Sequence, residues 1–433
     1  MTNIDRRTLL LGAAGSVVLA GCSDGDADAD GPVIVKAEKG NIVTPEDTVV
    51  LRDKLGKALE AGLETGDVDA LMKLVGDQEL SEDFRKRWER RFANFQRLGF
   101  VDGQWYVGLP SGRTRNASGG LVEYGGTLVF AHRVKGCDGQ QVVESFNADF
   151  RKKSTTAALE IVNVGGVEQF FDPSIWDVAE VDGIETEHAQ IVFRRQDAQR
   201  AKASAKTIEA GARRAFGIMP RPKGVDRVFY GLTWPKVDDE LWGGVGLVEA
   251  AAHAYAHDFL DPSELATGQK KRASSKGLPR ATGRVGLHQG AFGADLEEIA
   301  CHEAVHVLAN QWGSHGGTPT WVAEGLATWG DSRPGSGRLM ARDGARIRAS
   351  FDGFQRVALR DYKAFHLISE AQRSNNYACS GAVYEYLDHE KGRDAVFETA
   401  AAFYGAKDRD AGARALGTSE KELLARTRRW LGA

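Results

Sequence analysis

At 433 residues with 42% hydrophobic content, the chain is long enough for two or three domains with real cores. A net charge of -4, with 27% charged residues, gives no reason to expect a nucleic-acid partner. Length and composition bound the chain without deciding its chemistry, which rests on particular stretches.

The N-terminus opens with Arg6-Arg7, then an apolar run over 9–20 that closes on Leu19-Ala20-Gly21-Cys22. The run is too short to span a membrane and ends in small residues, so 1–21 reads as an export signal. Leu-Ala-Gly-Cys resembles a bacterial lipobox, which implies cleavage before Cys22 and lipidation of its thiol. The expected product is a membrane-anchored lipoprotein facing the periplasm or cell exterior. The twin arginine fits Tat export of a folded protein, although Asp5 and Leu11 depart from its usual residues. It fits equally the positive n-region of a Sec signal. Within 22–44, Asp24, Asp26, Asp28 and Asp30 alternate with Gly and Ala, which reads as a solvated acidic tether.

Residues 45–175 read as an accessory α+β domain. Helical periodicity over 49–75 and 82–98 gives way to strand-like segments at 105–109, 120–133, 141–150 and 157–164. Gly125-Gly126 and Gly136-Cys137-Asp138-Gly139 are turn signals that fit antiparallel hairpins. Gly66-Asp67-Val68-Asp69-Ala70-Leu71 and the closing strands resemble an NTF2-like cone fold, which implies a peptide or ligand pocket. A spacer or dimerisation module is the other reading.

Asp172-Pro173 through Asp182-Gly183 reads as the join to a second domain over 184–433. That domain is expected to run through a strand at 188–193, a helix at 197–216, a strand at 225–232 and an edge strand at 285–287. The basic stretch from Lys270-Lys271-Arg272 through Lys276, Arg280 and Arg284 reads as a mobile insertion loop. His253 and His257 share the i, i+4 spacing of a ligand pair but lack a third group, so they read as a helix face near a loop. His188, placed at a strand edge, and His288 read as single residues. Helices at 379–389, 394–404 and 419–431 close the chain.

The chemistry is concentrated in Cys301-His302-Glu303-Ala304-Val305-His306 and Trp321-Val322-Ala323-Glu324-Gly325-Leu326-Ala327. On a helix, positions i and i+4 lie on one face, so His302 and His306 can present two imidazoles to one ion. Asp295 stands where it can cap this helix, Glu297 and Glu298 fall in its first turn, and Gly313 follows its end. Gly313, Gly316, Gly317 and Pro319 predict a turn and a second helix starting near Thr320, which brings Glu324 back to the pair. The set is then two His and one Glu around a single Zn2+, with a fourth position open for water, as catalysis requires. Glu303 falls between the histidines, where it can act as general base on that water.

These paired motifs resemble those of gluzincin metallopeptidases, and more narrowly of the bacterial peptidase MA-like proteins. The likeness covers 184–433, with the strand His188-Ala189-Gln190-Ile191-Val192-Phe193, a long helix, an insertion, the zinc helix, the E-G-x-A helix and a helical tail in that order. It implies zinc ligation by His302, His306 and Glu324, Glu303 as base, an edge strand that binds substrate, and a peptide or protein substrate. It also implies a tyrosine or histidine that stabilises the oxyanion, for which Tyr377 is the candidate and Tyr384 and Tyr386 compete. Cys137, Cys301 and Cys379 remain for an oxidising compartment; Cys301 and Cys379 either pair or stay buried thiols. The expected fold is thus α+β: N-terminal helices and a curved antiparallel sheet, then a mostly helical zinc peptidase domain with a small edge sheet. The expected activity is metallopeptidase. A metal-stabilised lipoprotein that binds without catalysis, or an amidase using the same water, are the alternatives.

Overall fold

The computed structural model describes residues 43–75, 79–108, 114–116, 122–153, 156–167, 175–233, 252–266, 279–313, 318–359, 365–366, 368–406 and 409–432. The export signal, Cys22, the acidic tether, Asp172-Pro173, Gly316-Gly317 and the basic run at 270–276 lie outside these residues. The fold is α+β, with an antiparallel sheet in the N-terminal part and a mostly helical C-terminal part.

The first helix, Pro45–Thr65, starts at a capping box in which Thr44 and Asp47 exchange side-chain and backbone bonds. It stops where Gly66 takes a left-handed conformation at φ 77°. The periodicity over 49–75 is therefore broken into two helices, Pro45–Thr65 and the short Asp69–Met72. After the helix Glu79–Leu98 come β1 (Phe100–Gly108), β2 (Thr114–Asn116), β3 (Val122–Val134), β4 (Val142–Lys152) and β5 (Leu159–Val167). They pair antiparallel in the order β1-β3-β4-β5, with β2 on β3. One face of the sheet buries Trp105, Phe130 and Phe146 against Phe84, Trp88 and Phe95 of the helix. On the other face Val129, Ala131 and Val143 are covered by Leu265 and Ala266, which arrive from the second half of the chain.

The second sheet is formed by β6 (Val181–Glu185), β7 (Ala189–Arg194), β8 (Val228–Leu232), β9 (Ala252–Asp258) and β10 (Ala281–Leu287). Its order is β6-β7-β8-β10-β9, with β8 parallel to both neighbours and the outer pairs antiparallel. Three expectations are corrected. Asp182-Gly183 belongs to β6 and not to a linker, because the chain from Ile175 onward is already packed on the first domain. Residues 285–287 lie in an interior strand; among the described strands the edges are β6 and β9. His253 stands on that edge strand and not on a helix: Ala-His-Ala-Tyr-Ala-His alternates with period two, and i, i+4 share a face in a strand as well as in a helix.

A buried polar network binds the halves. Arg91 donates to Glu144 at 2.5 Å and to Asp177 at 2.6 Å, and His132 Nε2 lies 2.8 Å from the other oxygen of Glu144. Asn94 donates to the carbonyls of Trp176 and Ala179 and accepts from the Val181 amide. Hydrophobic packing is continuous from one part to the other, with Trp176 set edge-on against Phe229 of β8.

The helix Leu296–Ala309, called the motif helix below, is buried nearly all round. The helix Ala198–Ile218 crosses it at Gly211, where a Cβ would come within 2.6 Å of the Glu297 carbonyl and 2.8 Å of Ala300 Cβ. On its other side the helix Thr320–Asp331 is pressed against Glu370–Lys391 at Gly325, whose Cβ would meet the Ser380 carbonyl at 2.7 Å. The glycine after Glu324 is thus required by backbone approach. Gly325→Ala is expected to cost about 1–3 kcal/mol by overpacking, read as a lower midpoint in denaturant unfolding of the metal-free protein.

Candidate metal centre

The motif helix begins after Asp295, which occupies the cap position but makes no capping hydrogen bond. Its first turn is held by ion pairs instead: Arg214 to Glu297 at 2.6 Å and Arg338 to Glu298 at 2.7 Å. His302 and His306 follow one turn apart, both about 1% exposed, and Glu324 arrives fully buried from the next helix.

Three donor atoms converge. His302 Nε2 and His306 Nε2 are 3.3 Å apart, and each lies 3.4 Å from Glu324 Oε2. These spacings are longer than good hydrogen bonds. They match the edge of a tetrahedron with zinc–ligand bonds of about 2.0–2.1 Å, which is about 3.3–3.4 Å. The residues therefore fit a metal by spacing, donor type and burial together. A second grouping, Glu187, His188 and Glu209, fits worse. His188 Nδ1 is 2.8 Å from Glu209 and 4.0 Å from Glu187, while the other Glu209 oxygen accepts from Thr186 and the His188 amide. That is a hydrogen-bonded pair. His188 is thus not the solitary residue that the sequence indicated.

The first ligand is oriented by a partner that sequence reading missed: Asp331 Oδ2 lies 2.7 Å from His302 Nδ1. Such a carboxylate fixes the ring and its tautomer and raises its basicity. Asp331 stands about two turns beyond Glu324 on the same helix, a spacing that could have pointed to it. Burial alone would lower the His302 imidazole, but the hydrogen bonds to Asp331 and Glu324 push it up to about 10. Burial would likewise raise the Glu324 carboxyl, and His306 and His302 outweigh it and hold the group well below the usual carboxylate range.

Glu303 is buried beside the ligands, with Oε2 lacking a hydrogen-bond partner among the described residues. Burial raises its carboxyl above the ordinary value against the pull of His306 and His302. Tyr377 is brought to the site: its ring is 6.1 Å from that of His302 and 5.9 Å from that of His366. Tyr384 and Tyr386 are not, since they pack on Trp321 and Trp430 respectively. His366 is a second residue that the sequence did not disclose, with Nε2 4.0 Å from Glu324 Oε1. A lone histidine in Ala-Phe-His-Leu-Ile carries no spacing signal.

His288, also read as solitary, joins a buried row: Thr233 Oγ1 lies 3.1 Å from His288 Nδ1, and His288 Nε2 lies 2.8 Å from His253 Nδ1. Cys137, Cys301 and Cys379 are free thiols, each pushed up to about 12 by burial, so no Cys301–Cys379 bridge forms. Compared with known proteins, the chain matches no protein-family model and no curated protein.

Two outcomes follow for the metal-free protein. With His302 up at about 10, the imidazole carries a proton at pH 7–9 that a metal must displace. Zinc binding should release about one proton in that range, with affinity rising as pH approaches 10. Calorimetry in buffers of different ionisation enthalpy reads it directly. Asp331→Asn should weaken zinc binding about 10–100-fold in chelator competition, since the oriented ring loses its carboxylate.

Proposed function

We propose that the protein is a zinc-dependent metallopeptidase, exported and held at a membrane by a lipid on Cys22. The observation that carries this reading is the tetrahedral spacing of His302, His306 and Glu324 beside a buried carboxyl, Glu303, whose Oε2 has no hydrogen-bond partner among the described residues. Bound there, zinc would supply a Lewis acid and bring the pKa of water near ~7.

The chain's own residues divide the remaining work. Glu303 takes the proton of the attacking water and returns it to the nitrogen of the leaving amine. Its raised carboxyl suits both halves of that transfer. Tyr377 and His366 lie beside the candidate ligands and are the side chains that would stabilise the oxyanion of an attacked carbonyl. The edge strand β9 receives an extended peptide as an added strand, which restricts the substrate to unfolded or exposed segments of polypeptide.

Glu303→Gln should keep its zinc and lose roughly 10²–10⁴-fold in kcat on a peptide library. Full activity in that variant would remove Glu303 from the mechanism. A wild type that binds zinc and cleaves nothing would favour a metal-stabilised binding lipoprotein, and cleavage of non-peptide amides alone would make it an amidase. Cys22→Ser should move the exported protein from the membrane to the soluble fraction; unchanged partition would sink the lipid anchor.

A further inference from the structure

We infer that the β3–β4 turn of the N-terminal part is a strut that holds the cleft-side strands β10 and β9, so the first domain is a working piece of the second. The observation is Arg284, in the middle of β10, a guanidinium about 1% exposed in the core. Such a group cannot shed its proton, so it needs a buried counter-charge. Among the described side chains, none comes from its own sheet. It is supplied by Asp138 of the turn, which takes Nη1 and Nη2 of Arg284 on its two oxygens, each at 2.6 Å.

The remaining lone pairs of Asp138 are also used, by Thr282 Oγ1 of β10 at 2.9 Å and by the Val134 amide at 2.7 Å. Around the pair, the turn is bolted to the second sheet through its backbone. The Gly136 carbonyl accepts from the amides of Asp226 and Arg227, just ahead of β8, and Gln140 donates to the Pro279 carbonyl ahead of β10. The fit leaves no slack: a Cβ on Gly139 would lie 2.7 Å from the Lys223 carbonyl.

What the strut holds is the site's own wall. β10 pairs along its length with the edge strand β9, and both pack on the motif helix. Asn310, just past that helix, donates to the Thr282 carbonyl beside the strut. At its far end β10 leads into His288, whose Nε2 lies 2.8 Å from His253 Nδ1 across the strand pair. The edge is therefore pinned at two points, by Asp138 through Arg284 and by His288 through His253.

The test uses the zinc-loaded mature chain and hydrogen exchange read by peptide. In Asp138→Asn, amides over 252–258 and 281–287 should exchange roughly 10²- to 10³-fold faster, the range expected when one partner of a buried pair is neutralised. Helices over 198–218 and 320–331, and the zinc content, should be unchanged. Asp138→Leu combined with Arg284→Met removes both charges and should restore protection. Unchanged exchange in the two strands, or the same acceleration throughout the chain, would overturn the inference. If Asp138→Asn does not fold, the double variant decides, because exposed strands there would mean that the charge pair is not what holds them. A second arm rests on the peptidase reading: KM for extended peptides should rise in Asp138→Asn with kcat kept, and recover in the double variant. An inactive wild type would end that reading while leaving the exchange result standing.

Discussion

Charge balance among buried groups governs the second half of this protein. Glu324 and Asp331, about two turns apart on one helix, and Glu303 on the helix beside it are buried carboxyls clustered around the imidazoles of His302 and His306. A cluster of that kind is stabilised by protons, on the histidines or on carboxyls that burial raises as it does Glu303 and Asp331, or by a cation between them. The metal-free protein takes the first course, with His302 up at about 10 between Asp331 and Glu324. A divalent ion takes the second and uses the same donors. The choice between proton and metal is thus built into the helix pair, where the three donor atoms keep a tetrahedral spacing and Glu303 Oε2 has no hydrogen-bond partner among the described residues.

Holding that spacing is a packing problem before it is an electrostatic one. Donors from two helices reach 3.4 Å only if the helices cannot drift, and the absent side chains at Gly211 and Gly325 allow backbone contact on either side. Trp321, on the Glu324 helix, is tied in turn by its indole N–H to the buried carboxylate of Glu420 in the last helix. Residues a hundred positions apart in chain order therefore share the task of aiming one carboxylate.

How much of this was legible follows from what is local. His302, Glu303 and His306 could be read because a helix repeats every 3.6 residues, and Glu324 because a turn must return the next helix to the first. The same rule misled at His253, where a spacing of four is shared by strands and the period-two alternation of alanines was the better guide. Asp331 lay within reach of the helical rule and was overlooked. His366, the His253–His288 contact and Asp138–Arg284 were out of reach, since each joins segments distant in the chain, the latter two through the place of β10 in the order β6-β7-β8-β10-β9. Strand order is a global property, and nothing in the local pattern around Arg284 distinguishes a core charge from a loop residue.

That last residue bears on what a domain is here. The change of pattern near residue 180 looks like a boundary, and by elements it is one, with a helix-backed antiparallel sheet before it and a mixed sheet under helices after it. By energetics it is not. Asn94 of the first part accepts from the Val181 amide of the second, and Arg284 of the second part is satisfied by Asp138 of the first. Leu265 and Ala266, from the second part, cover the outer face of the first sheet. Each half thus leaves a buried charge or an apolar face uncompensated when considered alone, and each is completed by the other. A boundary drawn from periodicity marks where the architecture changes. Where the chain could be cut is set by its buried charges, and these place no such point between the first helix and the metal ligands.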